Sequence, residues 1–492
     1  MIPPAAFALW ENQPGTFSRA ASQDIIAGII AGAAQSDQRS TGRVIYRRTP
    51  FALGLDFCKP RFRNRFTGFL TMDTDGNTPV GVMEDPAMPA IVEFPTVVKE
   101  ALGEFGHLFA NEPERIHFAE YLTGLLVADR KNVSAINRQF AVTTDQSCLN
   151  RWLTEVDWDV HRLNHRRLEW LQKDPCTRYS AQGVIALDNV LIDHDGKLIE
   201  EAGYFWDHAE ERYKIAHDYL IANYVCTSGK HYPLEFRRFV KREQCEGQGL
   251  PFRDHNVFFR ELVDWVIKHD IPGDFTFDSW FTHAANLNHI HRRKRGYVGD
   301  LKFNRKVIFR GQTIKAEEVA ALIGPEDRKP VDMGDDRQWY FTKSVRIPDV
   351  DHPVRIVILW KRWNSALPGK ILVSNRTYWE VSHVLRVYRR RWRGTECFHR
   401  DGKQHLGMGD CQLRNGLGQT RHLYLVFLAH SLLMRQLRQG RAREWALERL
   451  TTIGQACLAV LRETLSQTIS WVIERAEDGW NCGRIKAQLA LP

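Results

Sequence analysis

The sequence predicts an α/β protein in which a central sheet is flanked by helical regions, and three changes in the pattern of apolar residues predict it. From about residue 95 the apolar positions recur at the spacing of an amphipathic helix. Near residue 183 the period changes to two, as expected of strands, and near residue 379 the helical spacing returns. The predicted order is therefore helices, then a sheet, then helices again.

The composition is that of a large folded protein with 492 residues, of which 43% are hydrophobic, and a net charge of +9. This basic excess fits an acidic partner such as nucleic acid, although a solvated surface would give the same balance. Nine cysteines without any Cys-x-x-Cys pair argue against a structural zinc site and a disulfide framework, and favour a reducing cytoplasm. No apolar run reaches transmembrane length, so we expect no membrane partner.

The first part of the chain, residues 1–90, shows no sustained helical or strand period and is often interrupted by Pro and Gly. We expect an irregular or flexible extension here, because a segment without an apolar face has nothing to bury. Since the pattern changes abruptly after Met88, this segment could be an over-long gene start. A chain starting at Met88 would then fold and act normally.

Residues 91–180 form the predicted all-helical region. Its third and fourth helices are short and are separated by a break, with Thr144 as the expected N-cap of the fourth helix. A helix-turn-helix that exposes Asn150 and Arg151 to DNA would have this pattern, and so would a plain helical bundle.

The predicted core begins at residues 181–295, where apolar runs surround the dipeptide Asp195-Gly196, a strong signal for a β-hairpin. A third strand, a long amphipathic helix and a fourth strand follow, in the order of a ribonuclease-H-like sheet. Asp188 interrupts the first apolar run, and Asp278 ends the later strand just before a predicted helix. A buried carboxylate is costly unless it is hydrogen bonded, lies at an edge or binds metal, so both acids are candidate metal ligands.

Residues 296–378 form a β-rich insertion that contains several Trp, Arg and Lys residues. Trp360 falls at an apolar strand position and could belong to the core. Trp363 follows that strand, so it is the first candidate for holding an unstacked DNA base, and Trp339 is the second.

Residues 379–440 return to helix, and residues 388–407 among them form the segment YRRRWRGTECFHRDGKQHLG, which crowds Arg and Lys residues around Glu396. Arginine pairs with phosphate through two hydrogen bonds and lysine acts as a point charge, so Arg391, Arg400 and Lys403 could hold DNA. Glu396 would then be the third carboxylate beside the metal. Further helices fill residues 441–492.

The segment YRRRWRGTECFHRDGK resembles the Tyr-Arg-Glu-Lys signature of bacterial insertion-sequence DDE transposases, the cut-and-paste group that forms hairpin DNA ends. The runs VIALDNVLIDHDGKLIE, FTFDSWFTHAANLNHI and RGYVGDLKFNRKV resemble the strands of that family, and the likeness covers roughly residues 91–440. It implies a ribonuclease-H-like catalytic core with a β insertion. By position it assigns the metal ligands Asp188, Asp278 and Glu396 and the DNA contacts Tyr388, Arg391 and Lys403.

One departure concerns the signature itself, which has three residues between Arg and Glu in the family and four here, Trp392 to Thr395. In a continuous helix one extra residue would turn Glu396 by about 100°. Gly394 could mark a helix break or bulge that restores the face. Asp300 is a rival for the second aspartate, but Asp278 is preferred because a predicted helix follows it directly, whereas Asp300 lies within a strand-like run.

The resemblance implies a Mg²⁺-dependent transposase, with two ions expected and Mn²⁺ as a possible substitute. The partners would be double-stranded DNA, as transposon ends and as target, and a second copy of the chain in the synaptic complex. One alternative is a ribonuclease-H-like endonuclease without strand transfer, and another is an inactive domesticated DNA-binding relative.

Overall fold

The computed structural model of the chain describes residues 90–208, 210–334, 337–437, 446 and 449–490. The extension predicted for residues 1–90 lies outside these residues, apart from Ala90. In the described part of the chain no helix is long and apolar enough to cross a bilayer. Contacts divide the described residues into one compact unit within Phe94–Thr464 and a second unit made of residues 90–93 with residues 465–490.

Capping side chains mark the start of most helices in the helical region at the beginning of the first unit. Asn111 accepts a hydrogen bond from the Glu114 amide at the start of the second helix, and Asp145 accepts one from the Ser147 amide at the start of the fourth. The prediction of Thr144 as the cap of the fourth helix was therefore wrong by one residue. The helices are α1 (Thr96–Phe105), α2 (Glu112–Val127), α3 (Val133–Asn137), α4 (Gln146–Thr154) and α5 (Val160–Gln172).

The core of the large sheet is mixed. Its strands are β1 (Val184–Asp193), β2 (Gly203–Asp207), β3 (Arg212–Val225), β4 (His231–Phe239), β5 (Asp274–Phe277) and β6 (Tyr297–Asp300). β3 is antiparallel to β1, β2 and β4, whereas β1 is parallel to β5 and β5 is parallel to β6. This arrangement is consistent with the predicted ribonuclease-H-like core.

The hairpin predicted at Asp195-Gly196 was wrong, because β2 pairs with the first residues of β3 and not with β1. Gly196 does not adopt the positive φ that a type I′ turn requires. Sequence analysis also missed β4, in which Tyr232, Leu234 and Phe236 are buried.

The β-rich segment extends the same sheet. After β6 come the small two-stranded sheet of β7 (Lys306–Phe309) and β8 (Gln312–Lys315), and the short helix α9 (Ala316–Ala321). The large sheet then continues from β6 through β12 (Lys370–Ser374), β11 (Val354–Trp360) and β10 (Arg337–Val345) to β9 (Lys329–Asp332).

Helices cover both faces of this sheet. The remaining helices of the first unit are α6 (Arg242–Gly247), α7 (His255–Lys268), α8 (Ala284–Arg292), α10 (Val381–Trp392), α11 (Phe398–His405) and α12 (Gly416–Gln436). Alternate residues of β1 enter different cores: Ile185 and Leu187 join Phe259 of α7, whereas Val184 joins Val384 and Leu385 of α10. Asp188 has the same parity as Val184, so its side chain lies on the α10 side.

α12 is buried along most of its length and joins the sheet to the helical region. His422 Nδ1 lies 2.8 Å from the Tyr121 hydroxyl, and the Arg421 guanidinium donates to the carbonyl groups of Trp152, Leu153 and Trp158. The helical region therefore packs within the same compact unit as the sheet.

The second unit contains most of α13 (Ile453–Glu477) and α14 (Cys482–Gln488). Val472, Ile485 and Leu489 form its small apolar cluster. The Ala90 amide donates a hydrogen bond to the Leu489 carbonyl over 3.2 Å.

The buried His422 predicts a pH-dependent stability. Burial lowers the pKa of His422 to about 4, so between pH 6.5 and 4 the unfolded chain takes up a proton there that the folded chain does not. The free energy of unfolding should therefore fall as pH falls through this window. Urea unfolding at several pH values should show a smaller fall for His422→Gln than for the wild type, and an unchanged slope would contradict the assignment.

Candidate active site

The register of the parallel strands brings three aspartates to one level of the sheet. Leu187 of β1 pairs with Phe277 of β5, and Phe277 pairs with Gly299 of β6. The next residues along the three strands are Asp188, Asp278 and Asp300. The two candidates for the second aspartate thus lie side by side, with Asp278 on the strand next to Asp188.

Asp188 is a buried carboxylate with a cationic partner. Its Oδ2 accepts a hydrogen bond from Nη1 of Arg391 over 2.7 Å, and its Oδ1 accepts one from the Asn189 amide over 3.1 Å. Burial raises the pKa of Asp188 to about 7 against the opposing effect of Arg391, and the negative charges of Asp278 and Glu396 raise it further. The sequence left open that Asp188 is stabilised by hydrogen bonds and not by metal, and these two hydrogen bonds supply part of that stabilisation.

Asp278 lies in a loop that its own hydrogen bonds hold in place. Its Oδ1 accepts from the Trp280 amide over 3.0 Å, and its carbonyl accepts from the Thr282 hydroxyl over 3.1 Å. Burial raises the pKa of Asp278, and Asp300 adds to the rise, whereas Arg391 and the amides of Trp280 and Phe281 oppose it. The helix expected directly after Asp278 begins only at Ala284.

Glu396 is carried by a π-helical turn, Arg393–Cys397, between α10 and α11. A π turn contains one residue more than the corresponding α turn, so it takes up an extra residue without ending the helix. The four-residue spacing between Arg391 and Glu396 thus coincides with a bulge of the kind expected at Gly394. Gly394 is buried against the sheet, where a Cβ atom would lie 2.8 Å from both Ala186 Cβ and Val225 Cγ2.

Arg391 connects the helix to the carboxylates. Its Nη1, 2.7 Å from Asp188, also lies 4.0 Å from Oε1 of Glu396. Burial alone would lower the pKa of Arg391, but Asp188 and the other surrounding acids outweigh burial and raise it. Arg391 therefore balances part of the negative charge that Asp188, Asp278 and Glu396 bring together.

Asp300 has partners of its own. Its Oδ2 accepts from Nζ of Lys370 over 2.7 Å and from the Tyr388 hydroxyl over 3.2 Å, and Lys370 also donates to Tyr388. Burial and then the charge of Asp300 raise the pKa of Tyr388, so its hydroxyl stays protonated. In this structure Tyr388 and Arg391, both predicted to contact DNA, contact acids at the sheet edge, and their contact with DNA stays a prediction.

The chemistry of the acids fits a divalent cation with oxygen ligands. Burial and then the negative charges of Asp278 and Glu396 raise the pKa of Asp188, and a divalent cation between the three carboxylates would relieve their repulsion. Asp188, Asp278 and Glu396 would hold Mg²⁺ there. Their oxygen atoms do not form a group as compact as the one described next, since Arg391 lies between Asp188 and Glu396.

A second possible metal group lies elsewhere in the described residues. His231, Asp401 and His430 are buried, and one ligand atom of each lies within 4.8 Å of the others. Its two imidazoles suit a transition metal more than Mg²⁺, and the Asp401 carboxylate already accepts from Arg400 over 3.0 Å. This group does not match the predicted Mg²⁺ site.

The other predicted DNA-contacting residues have different degrees of exposure. Arg151 and Lys403 are exposed, and the side chain of Arg400 is more than half exposed although it pairs with Asp401. Trp363 is exposed after β11, Trp339 packs against the sheet core and Trp360 is fully buried. Asn150 is half-buried in α4, where it accepts from the Thr154 hydroxyl.

Sequence analysis did not identify Lys370 or Thr282. Lys370 lies on β12, 70 residues after its partner Asp300, so only the pairing of β6 with β12 brings the two together. Thr282 donates to the carbonyl groups of both Asp278 and Asp300. The spacing of four residues between Asp278 and Thr282 was a weak sequence signal for a hydrogen bond within this loop.

The close approach of Gly394 to the sheet predicts a sensitive position. Gly394→Ala should lower the free energy of unfolding by about 1–3 kcal/mol, because the new methyl group meets packed side chains of β1 and β3. Gly103→Ala in α1 is the matched control, since no atom lies within 4 Å of its Cβ position and alanine favours a helix by roughly 0.5–1 kcal/mol. Urea unfolding measures both variants, and equal stabilities would show that Gly394 is not constrained.

Comparison with known families adds an independent observation. Residues 254–432, which include Asp278, Asp300, Arg391 and Glu396, match the family model described as a transposase DDE domain. A search of curated proteins finds no significant match. The matched segment runs from the start of α7 into α12 and so contains the elements that carry the second and third candidate acids. This match supports the resemblance of the motifs to insertion-sequence DDE transposases, and residues 254–432 are similar to a transposase DDE domain.

Proposed function

We propose that the protein is a Mg²⁺-dependent transposase of the group with the Tyr-Arg-Glu-Lys signature, which cleaves DNA at terminal inverted repeats and joins the ends to target DNA. The observation that carries the proposal is the convergence of Asp188, Asp278 and Glu396 around Arg391 in a chain with a transposase DDE match.

In this proposal Asp188, Asp278 and Glu396 would hold Mg²⁺, which when bound would supply activation of the attacking oxygen and stabilisation of the leaving one. The first reaction is hydrolysis: water attacks a phosphodiester, and the bond to the 3′ oxygen breaks to leave a 3′ hydroxyl. That hydroxyl then attacks a phosphodiester of the opposite strand, whose bond to the 3′ oxygen of the flanking DNA breaks, so that a hairpin end forms and the flanking DNA leaves with a 3′ hydroxyl. Opening of the hairpin and attack on target DNA complete the transfer.

DNA would bind along the basic surfaces of the chain. Arg400 and Lys403 follow Glu396 on α11, where they would contact phosphates. Arg151 on the exposed face of α4, with Asn150, would contact the inverted repeat. Pairing of two transposon ends implies two copies of the chain on DNA. The domain boundaries 91–180, 181–295, 296–378, 379–440 and 441–492 stay predictions.

Two alternatives keep the same site. A nuclease without strand transfer would release cut ends that never join target DNA, and the extension of the sheet by β9–β12 favours the transposase, because plain cleavage requires no such addition. An inactive relative would bind DNA without cutting it, and the presence of all three acids argues against that alternative. Joining of a labelled end to a plasmid separates the transposase from both alternatives, and release of a cut end without joining separates the nuclease from the inactive relative.

Replacement of the acids provides the direct test. Asp188→Asn, Asp278→Asn and Glu396→Gln should each abolish Mg²⁺-dependent cleavage of DNA that carries the sequences flanking the gene. Binding of the same DNA should stay nearly unchanged, because phosphate contacts by Arg and Lys dominate affinity. Gel assays of cleavage and fluorescence anisotropy measure the two properties separately.

The matched control is Glu317→Gln, an exposed acid on α9 outside the site. It should cut like the wild type, with Mg²⁺ or with Mn²⁺. Normal cleavage by Glu396→Gln would disprove its assignment, and cleavage by the wild type without any divalent cation would disprove the metal assignment.

The exposed Trp363 gives a second prediction. If its ring holds an unstacked base during hairpin formation, Trp363→Ala should spare the first nick and slow the hairpin step, with a loss of about 1–3 kcal/mol of stacking. Trp206→Ala is the control, because Trp206 on β2 is similarly exposed. Denaturing gels resolve nicked and hairpin products. An equal loss of both steps would show that Trp363 has no special role in the hairpin.

A further inference from the structure

The loop that carries Asp278 also presents an exposed tryptophan. The Trp280 amide donates to the Asp278 carboxylate over 3.0 Å, yet the Trp280 residue is 59% exposed. The Thr282 hydroxyl donates to both the Asp278 and the Asp300 carbonyl, which anchors the loop to β6. The Trp280 ring is thus exposed to solvent on a loop that hydrogen bonds to Asp278 and Asp300 hold in place. Trp280 lies two residues after Asp278, a proposed metal ligand.

The segment after β6 supplies the other side of this surface. Nζ of Lys302 lies 5.2 Å from the centre of the Trp280 ring, and Phe303 beside it is 40% exposed. Lys302 and Lys306 are exposed and Arg305 is half-buried, in a turn that begins where Asp300 ends β6. We name Trp280, Lys302, Phe303, Arg305 and Lys306 the aromatic–basic patch.

A groove passes through the aromatic–basic patch. Ser279, Trp280, Thr282, His283, Lys302 and Arg305 line it, and Asp349 contributes an acid at its margin. Against that one acid stand three cations of the patch, so the local charge favours a polyanion.

The chemistry of the aromatic–basic patch points to one class of ligand. Exposed rings beside Lys and Arg are the usual platform for unpaired nucleotides, because each base stacks on a ring while cations hold the phosphates. A protein partner would favour a larger apolar area without several cations. Because Trp280 follows Asp278 by two residues in a loop held by hydrogen bonds to Asp278, such a nucleotide would lie near this carboxylate.

We propose that the aromatic–basic patch binds an unpaired nucleotide of the DNA substrate at the candidate active site, with its base on the Trp280 ring and its phosphates on Lys302 and Arg305. This inference rests on the proposed function, since it names the part of the DNA that the site contacts. It differs from the role predicted for Trp363, which lies in the loop after β11.

Binding of single-stranded DNA by the full chain tests the proposal. With a fluorescent 20-nucleotide poly-dT strand, without divalent cations, Trp280→Ala should weaken binding by about 5- to 100-fold, as expected for loss of one stacked base. Trp280→Phe should restore most of the affinity, because a phenyl ring still stacks. Trp206→Ala should bind like the wild type, and thermal melting should show that all variants are folded.

The outcomes separate this inference from the proposed function. Unchanged poly-dT binding by Trp280→Ala, or an equal loss in Trp280→Phe, would overturn the inference while Asp188-dependent cleavage by the wild type still supports the function. A weaker effect on poly-dT than on an intact duplex would also overturn it. Absence of cleavage by the wild type, with Trp280-dependent poly-dT binding retained, would reject the function and leave the binding surface.

Discussion

The ion pair between Arg391 and Asp188 is the interaction on which the candidate site depends. A carboxylate on an inner strand of a large sheet is expensive to bury, and here two further acids lie close enough to raise its pKa. A guanidinium 2.7 Å away offsets part of that cost. Because Arg391 belongs to α10 and Asp188 to β1, the pair also fixes how the helix lies on the sheet. The arginine-rich segment thus has a structural role in addition to any role toward DNA.

The helix that carries Arg391 must approach the sheet closely to make this pair. At Gly394 the approach leaves no room for a side chain, because Ala186 and Val225 lie directly below. The π turn begins one residue before this glycine and ends one residue after Glu396. The bulge, the glycine and the acid therefore act together: the turn accommodates the extra residue, the glycine permits contact, and Glu396 is brought near Arg391.

Much of the architecture could be predicted from sequence because it depends on local periods. β1, β3, β5 and α7 follow directly from the spacing of apolar residues, and so does the burial of Trp360. The hairpin at Asp195-Gly196 could not be judged locally, because β3 is long enough to pair with both β2 and β4 along one side. The contact of Lys370 with Asp300 depends on strand pairing across 70 residues, which a single sequence does not reveal.

The three aspartates at one level of the sheet have different partners, and these partners suit them to different roles. Asp188 and Asp278 lie side by side, and the charge of Arg391 opposes the rise that burial causes in the pKa of each carboxyl. A cation would therefore be favoured beside both of them. Asp300 is instead bound by Lys370 and the Tyr388 hydroxyl, which satisfy its carboxylate and connect β6, β12 and α10. The Thr282 hydroxyl donates hydrogen bonds to the backbone carbonyl groups of both Asp278 and Asp300. Movement of the backbone at one aspartate would therefore displace the other. Asp300 therefore fits a positioning residue better than a metal ligand, which leaves Asp278 as the favoured second acid.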